Sequence, residues 1–151
     1  MRTIIVILFL SSFAFAQNIT IGTAYQRSEL NESVGLSISP EIITFNNRKV
    51  IFRLYAGYFL GSNLNYDTDF NSYSRYEFGF ESKNTMLTGK TFFNHIAVGY
   101  NFQNNQFASN TSDWMFSFGL GTKFLETLSI ITKYVWNNES GIRIVLEYDM
   151  F

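Results

Sequence analysis

The chain has 151 residues, with 17 Phe, 9 Tyr, a single Pro and no Cys. That length suits one domain, and the missing Cys excludes the disulfide framework on which many small secreted domains depend. Its 12 acidic and 11 basic residues lack the basic excess of a nucleic-acid binder.

"MRTIIVILFLSSFAFAQ" opens the chain. Arg2, a short apolar run and "AFA" before Gln17 read as a secretory signal over residues 1–16, cut after Ala16. The mature domain, 17–151, then carries two more acidic than basic residues. None of its apolar runs has the length of a transmembrane helix. Bulky residues alternate with small or polar ones instead, which is the period of a strand. Eight strands are expected, at 18–27, 33–44, 49–61, 73–83, 91–103, 113–124, 128–136 and 141–150. Strands of about ten residues or slightly more can cross a bilayer when tilted. Connections at 45–48, 84–90 and 125–127 are fairly short, whereas those at 62–72 and 104–112 are longer and polar. The pattern predicts an all-β fold, an eight-stranded antiparallel up-and-down transmembrane β-barrel.

The two faces of these strands differ in charge. From the second strand to the eighth, the even positions are apolar or neutral, and none is Asp, Glu, Lys or Arg. The odd positions carry Glu41, Arg53, Arg75, Glu77, Glu81, Lys83, Lys123, Lys133, Arg143, Glu147 and Asp149. A lipid-facing even side and a polar lumen account for this, because Lys or Arg facing lipid at mid-bilayer costs about 2–4 kcal/mol. The inverse object is a secreted, soluble, lipocalin-like ligand-binding barrel with the even face inside. Volume opposes it: an eight-stranded lumen barely holds its own side chains, and the even face is full of Phe, Tyr, Trp, Leu and Ile. With the N-terminus on the inner side, Tyr25, Tyr58, Tyr76, Tyr100, Phe102, Trp114 and Trp136 form an outer aromatic girdle. Phe52, Phe80, Phe92, Phe124 and Tyr148 form the inner one. Pro40, inside the second strand, predicts a bulge or a local break there; its functional counterpart is a lateral opening to the membrane.

The chain ends "GIRIVLEYDMF", a last strand closing on Phe151 that is similar to the assembly signal of outer-membrane proteins, although Met150 rather than Phe151 holds the lipid-facing phase. Residues 17–151 thus resemble the small eight-stranded outer-membrane barrels of Gram-negative bacteria. The resemblance is architectural and carries no functional motif, and a fold does not fix a function. It implies location in the outer membrane and contact with lipid and lipopolysaccharide. It also implies passage through the outer-membrane assembly machinery.

Candidate chemistry is sparse. His95 is the only histidine. Some barrels of this kind deacylate lipid A with a His and a Ser two residues apart on one strand, but Ala97 stands at that position here. Pairing the fourth and fifth strands about residue 87 sets His95 opposite Gly79, with Glu77 and Glu81 on the diagonals. That reads as a polar lumen contact, one member of a network with Glu41, Arg53, Arg75, Lys123, Lys133, Arg143 and Glu147. Asp67, Asp69 and Asn71 match the first ligand positions of a calcium loop, but Ser72 and Phe78 break the rest. No cofactor and no resident metal are expected. Sequons at Asn18, Asn31, Asn110 and Asn138 are read as chance in an Asn- and Ser-rich chain. The function expected is structural or accessory and non-enzymatic, as a small subunit of a larger outer-membrane complex. A lipid A deacylase-like enzyme is the alternative within the membrane.

Overall fold

A computed structural model describes residues 18–29, 31–45, 50–63, 72–86, 91–105, 109–137 and 140–150. Residues 1–17, where the signal is expected, Phe151, Asn138 and the loop bearing Asp67, Asp69 and Asn71 lie outside the described residues. Eight strands follow in chain order: β1 Ile19–Ser28, β2 Asn31–Phe45, β3 Val50–Asn63, β4 Ser72–Thr85, β5 Phe92–Asn105, β6 Thr111–Lys123, β7 Leu128–Trp136 and β8 Gly141–Met150. All eight stand where the alternation predicts them, and no end moves by more than two residues. Each pairs antiparallel with its chain neighbour, and β8 closes on β1. Among the described residues no helix is long and apolar enough to cross a membrane.

Closure decides what the inside can hold. Following the registers once around the barrel returns to β1 about ten residues further along, a stagger that tilts the strands by roughly 35–45°. At eight strands this leaves room for side chains only. The small odd-position residues make that room. Phe59 lies directly over Gly35, where a Cβ would stand 2.6 Å from its ring Cγ. Tyr55 fits because Gly79 and Gly99 lie beside it, each leaving about 2.5 Å or little more to a Cβ.

Exposure separates the faces. Trp114, Phe118 and Trp136 are 63%, 57% and 70% exposed, whereas Glu77 and His95 are fully buried. Charges are inside and apolar rings outside, which rules out the soluble inverse barrel. In water such a surface would exceed the few hundred square ångströms of apolar patch that soluble monomers tolerate; in a bilayer it is solvated.

Pro40 marks the irregularity. The β2–β3 ladder runs to Ile38–Ala56, resumes at Glu41–Arg53 and slips by one residue between Glu41 and Ile43. Proline has no N–H to give a ladder, and the extra residue reverses the phase beyond it. Ile42 and Ile43 are both exposed, Thr44 turns in to bond Glu41, and Phe45 turns out. Strict alternation would have sent Ile43 inward and Thr44 outward. Phe45 now meets Phe52 edge-on at 6.1 Å.

The β4–β5 register also differs from expectation. His95 pairs with Lys83 rather than Gly79, and Gly79 pairs with Gly99. The ladder has slid by four residues, because β4 continues to Thr85 and the turn begins at Met86, whose N–H bonds Phe92 O at 3.0 Å. An even slide leaves every side chain on its own face, so the hydrophobic pattern could not detect it.

Candidate functional site: the lumen and its inner vestibule

The lumen is layered. In its outer half Arg143 from β8 grips Glu77 from β4 bidentately, at 2.7 and 2.6 Å. Its Nε and one terminal nitrogen also donate to Gln26 Oε1 of β1, at 3.0 and 2.5 Å. Arg75 donates to the same Gln26 oxygen at 2.8 Å, and its Nε lies 3.0 Å from Glu77. Both guanidinium groups lie on the Phe59 ring, at 4.4 and 5.0 Å from its centroid. Two cations therefore share one carboxylate, with an amide oxygen and an aromatic face taking the remaining charge.

The middle of the lumen is not wholly polar, as the charge pattern alone suggested. Tyr55, Ala97, Met115 and Val135 form one buried cluster, and Ala24, Phe59, Phe93, Ile131 and Val145 another. Those on β3 to β8 hold odd positions, the inward phase of the sequence; the charge pattern passes over them because they carry no charge. Tyr55 donates its hydroxyl to Met115 Sδ at 3.8 Å. Lys133 is buried here and makes no ion pair among the described residues.

The inner half holds His95, whose Nε2 lies 3.0 Å from Glu81 Oε2. Glu77, the other expected neighbour, instead stands opposite Asn101 and belongs to the outer layer. Arg53 reaches Asp149 at 3.1 Å, Glu147 at 3.5 Å and Glu81 at 3.9 Å. Lys83 pairs with Glu147, and Lys123 with Asp149 at 3.6 Å. Glu41 accepts from Asn18 Nδ2 at 3.0 Å and from the Thr44 hydroxyl.

Two chemistries can be tested on this layer. Nucleophilic catalysis needs a hydroxyl or thiol within hydrogen-bond reach of a base. Ala97, opposite Glu81, offers none, and the hydroxyls of Ser117 and Ser129 are buried without a hydrogen-bond partner, His95 included. Metal binding has a donor set in Glu81, His95 and Glu147, whose ligand atoms lie within 4.8 Å of one another. But Glu147 already carries Lys83 and Arg53, so a divalent ion would first have to displace a cation. The groups of this cluster are paired with one another.

Below this layer a vestibule of about 340 Å³ opens at the inner end, between Glu41, Arg53, Lys83, Phe93, Lys123 and Asp149 among others.

On the outer wall, cross-strand pairing sets Tyr58 beside Tyr76, with ring centroids 4.9 Å apart, and Tyr100 beside Trp114, at 5.5 Å. Tyr25 and Trp136 are exposed on the same wall, and Tyr25 bonds Glu32 at 3.2 Å. At the inner end Phe92, Phe124 and Tyr148 are exposed. Phe80 is exposed too, but it pairs with Leu54 and Val98 well inside both strand ends, above the other inner aromatics.

No known family matches the sequence, and no curated protein does. Solved structures do match in shape. The N-terminal β-barrel domain of Pseudomonas aeruginosa OprF superposes with a TM-score of 0.61 at 11% identity, covering 89% of this chain and 98% of that one. The Yersinia pestis outer-membrane protein Ail gives 0.57 at 9% identity, over 88% and 99%. Neisserial surface protein A gives 0.52 at 10% identity, over 87% and 94%. With closure, outward apolar rings and an ion-paired lumen already in place, the chain has the fold of the small eight-stranded outer-membrane barrels.

Proposed function

We propose that the protein is an integral outer-membrane barrel with a structural or accessory, non-enzymatic role, serving as a small subunit of a larger outer-membrane complex. One observation carries this reading: the lumen's charged groups are largely committed to one another, around Glu77 in the outer half and around Glu81, Glu147 and Asp149 in the inner half. A side chain holding a buried partner is not free to bind and release a substrate. The largely apolar outer wall, charged at its rim by Arg27 and Glu32, then becomes the working surface, toward lipid, lipopolysaccharide or a neighbouring membrane protein. Delivery runs through the outer-membrane assembly machinery, which accepts strands of this kind.

Affinity purification in mild detergent tests the reading directly. A stoichiometric outer-membrane partner that survives washing is expected, and a protein that elutes alone from cross-linked membranes overturns it. The enzymatic alternative draws on the His95–Glu81 contact. Mass spectrometry of lipid A from cells with and without the protein separates the two. Loss of an acyl chain that disappears with His95→Gln assigns an enzyme.

A further inference from the structure

We propose that the inner vestibule is a binding site for a small zwitterion carrying a primary ammonium and a phosphate, the chemistry of phosphoethanolamine. The site goes beyond the accessory role and does not depend on a protein partner.

Two groups on opposite walls of the vestibule, Glu41 and Lys123, are incompletely answered, in a lining that also carries Arg53, Lys83, Glu126 and Asp149. On β2, Glu41 is 3% exposed. Its two oxygens accept from neutral donors, Asn18 and Thr44, and it makes no ion pair among the described residues. Arg53 stands opposite it in the β2–β3 ladder but gives its guanidinium to Asp149 and Glu147; a buried carboxylate short of a counter-charge is costly, so this position favours a further cation. Each carboxylate oxygen has two acceptor sites, which leaves one on each for an N–H donor. A primary ammonium supplies such donors, and a quaternary one does not.

Across the barrel, β6 brings Lys123 to the same cavity. In an eight-stranded ring β2 and β6 are diametrically opposed. Lys123 keeps a side chain 35% exposed and one loose contact, 3.6 Å to Asp149. Its ammonium is therefore available to an anion. Between the two, Arg53 and Lys83 are tied to Glu147, and the Phe93 ring lies 4.9 Å from Lys83 Nζ. A dipolar ligand bridging Glu41 and Lys123 satisfies both walls, whereas a simple cation or a simple anion satisfies one. The cavity, about 340 Å³, lies within the roughly 300–1,000 Å³ range of small-molecule sites.

Such a zwitterion can arrive as a soluble solute or as the headgroup of an ethanolamine phospholipid. The mature chain, refolded in neutral maltoside micelles, is titrated calorimetrically with O-phosphoethanolamine, ethanolamine and inorganic phosphate. Saturable binding of O-phosphoethanolamine is expected, with the two half-ligands at least tenfold weaker. Glu41→Gln and Lys123→Gln should each weaken it at least tenfold and leave the heat-dependent gel shift of the folded barrel unchanged. Lys123 is partly exposed, so its substitution keeps the test valid if Glu41→Gln impairs folding. Competition by ethanolamine phospholipid doped into the micelles, but not by phosphatidylglycerol, assigns the ligand to the membrane. Failure of both lipids to compete assigns it to the soluble pool. Absence of saturable binding, equal binding of phosphate alone, or indifference to Lys123→Gln overturns the proposal.

Discussion

Glu77 is the residue on which the outer half of the lumen turns. It is fully buried and answers two guanidinium groups from strands on opposite walls. Removing one member of a buried ion pair typically costs about 3–5 kcal/mol, because the survivor is stranded, whereas replacing both by apolar groups can be neutral. Glu77→Met should therefore destabilise the barrel by about that amount, and Glu77→Met with Arg143→Met by less. Urea unfolding in vesicles, followed by the fluorescence of Trp114 and Trp136, gives both values. A double variant less stable than the single one would show that these groups are held by packing rather than by charge. His95 makes a second residue-scale prediction. Opposed residues of a non-hydrogen-bonded antiparallel pair lie closest; Met86–Phe92 is hydrogen-bonded, so the odd-numbered pair Lys83–His95 is not. An NMR cross-peak between the Lys83 and His95 Hα protons is expected, with none between Gly79 and His95. The residue types and inward phase of this cluster were legible in the sequence, and so was the His95–Glu81 proximity. Its partner set was not, because two registers four residues apart bury the same side chains.

Among the elements, β2 is the one whose internal geometry departs from a plain strand. A lone Pro inside an otherwise alternating run predicted an irregularity, and the ladder slips just beyond Pro40. The consequence for the following residues was not legible, since a bulge adds one residue to the count and so inverts the alternation used to read it. Ile43 and Phe45, odd-numbered and nominally inward, are exposed. A nitroxide spin label at Ile43→Cys should accordingly be relaxed by oxygen dissolved in the bilayer and shielded from a water-soluble nickel complex. The same label at Ser39→Cys, just before the slip and buried, should show the opposite preference. Equal behaviour of the two positions would mean that the slip is absent in the membrane. The other strands needed no such correction, because each keeps one phase from end to end.

At the scale of the whole molecule, eight strands with this stagger enclose a space that side chains fill. Tyr55, Phe59, Met115 and Ile131 occupy its middle, between the two ionic layers. Planar-bilayer recordings should show no stable conductance on the nanosiemens scale, and a steady open level of that size would mean that the filling can move aside. The outer surface supplies the complementary test. Phe118, 57% exposed and opposite Ile96 and Tyr134, faces lipid well inside both ends of β6. Phe118→Arg should lower the unfolding free energy in vesicles by about 2–4 kcal/mol. An effect within experimental error would place that face against something other than hydrocarbon.

By itself the sequence determined the number of strands, their limits within two residues and the side of the wall to which most residues belong. Those features are local: alternation has a period of two, and lipid outside with charge inside writes it into neighbouring residues. Tertiary structure alone decided which charges meet. Gln26 and Arg143 are 117 residues apart in the chain and hydrogen-bonded in the lumen. Such partners follow from register, stagger and closure, which an even slide of a hairpin alters without disturbing the pattern of faces. The same holds for the inner vestibule, which Glu41 and Lys123 both line because β8 pairs with β1. Only a closed ring brings the second and sixth strands to opposite sides of one cavity.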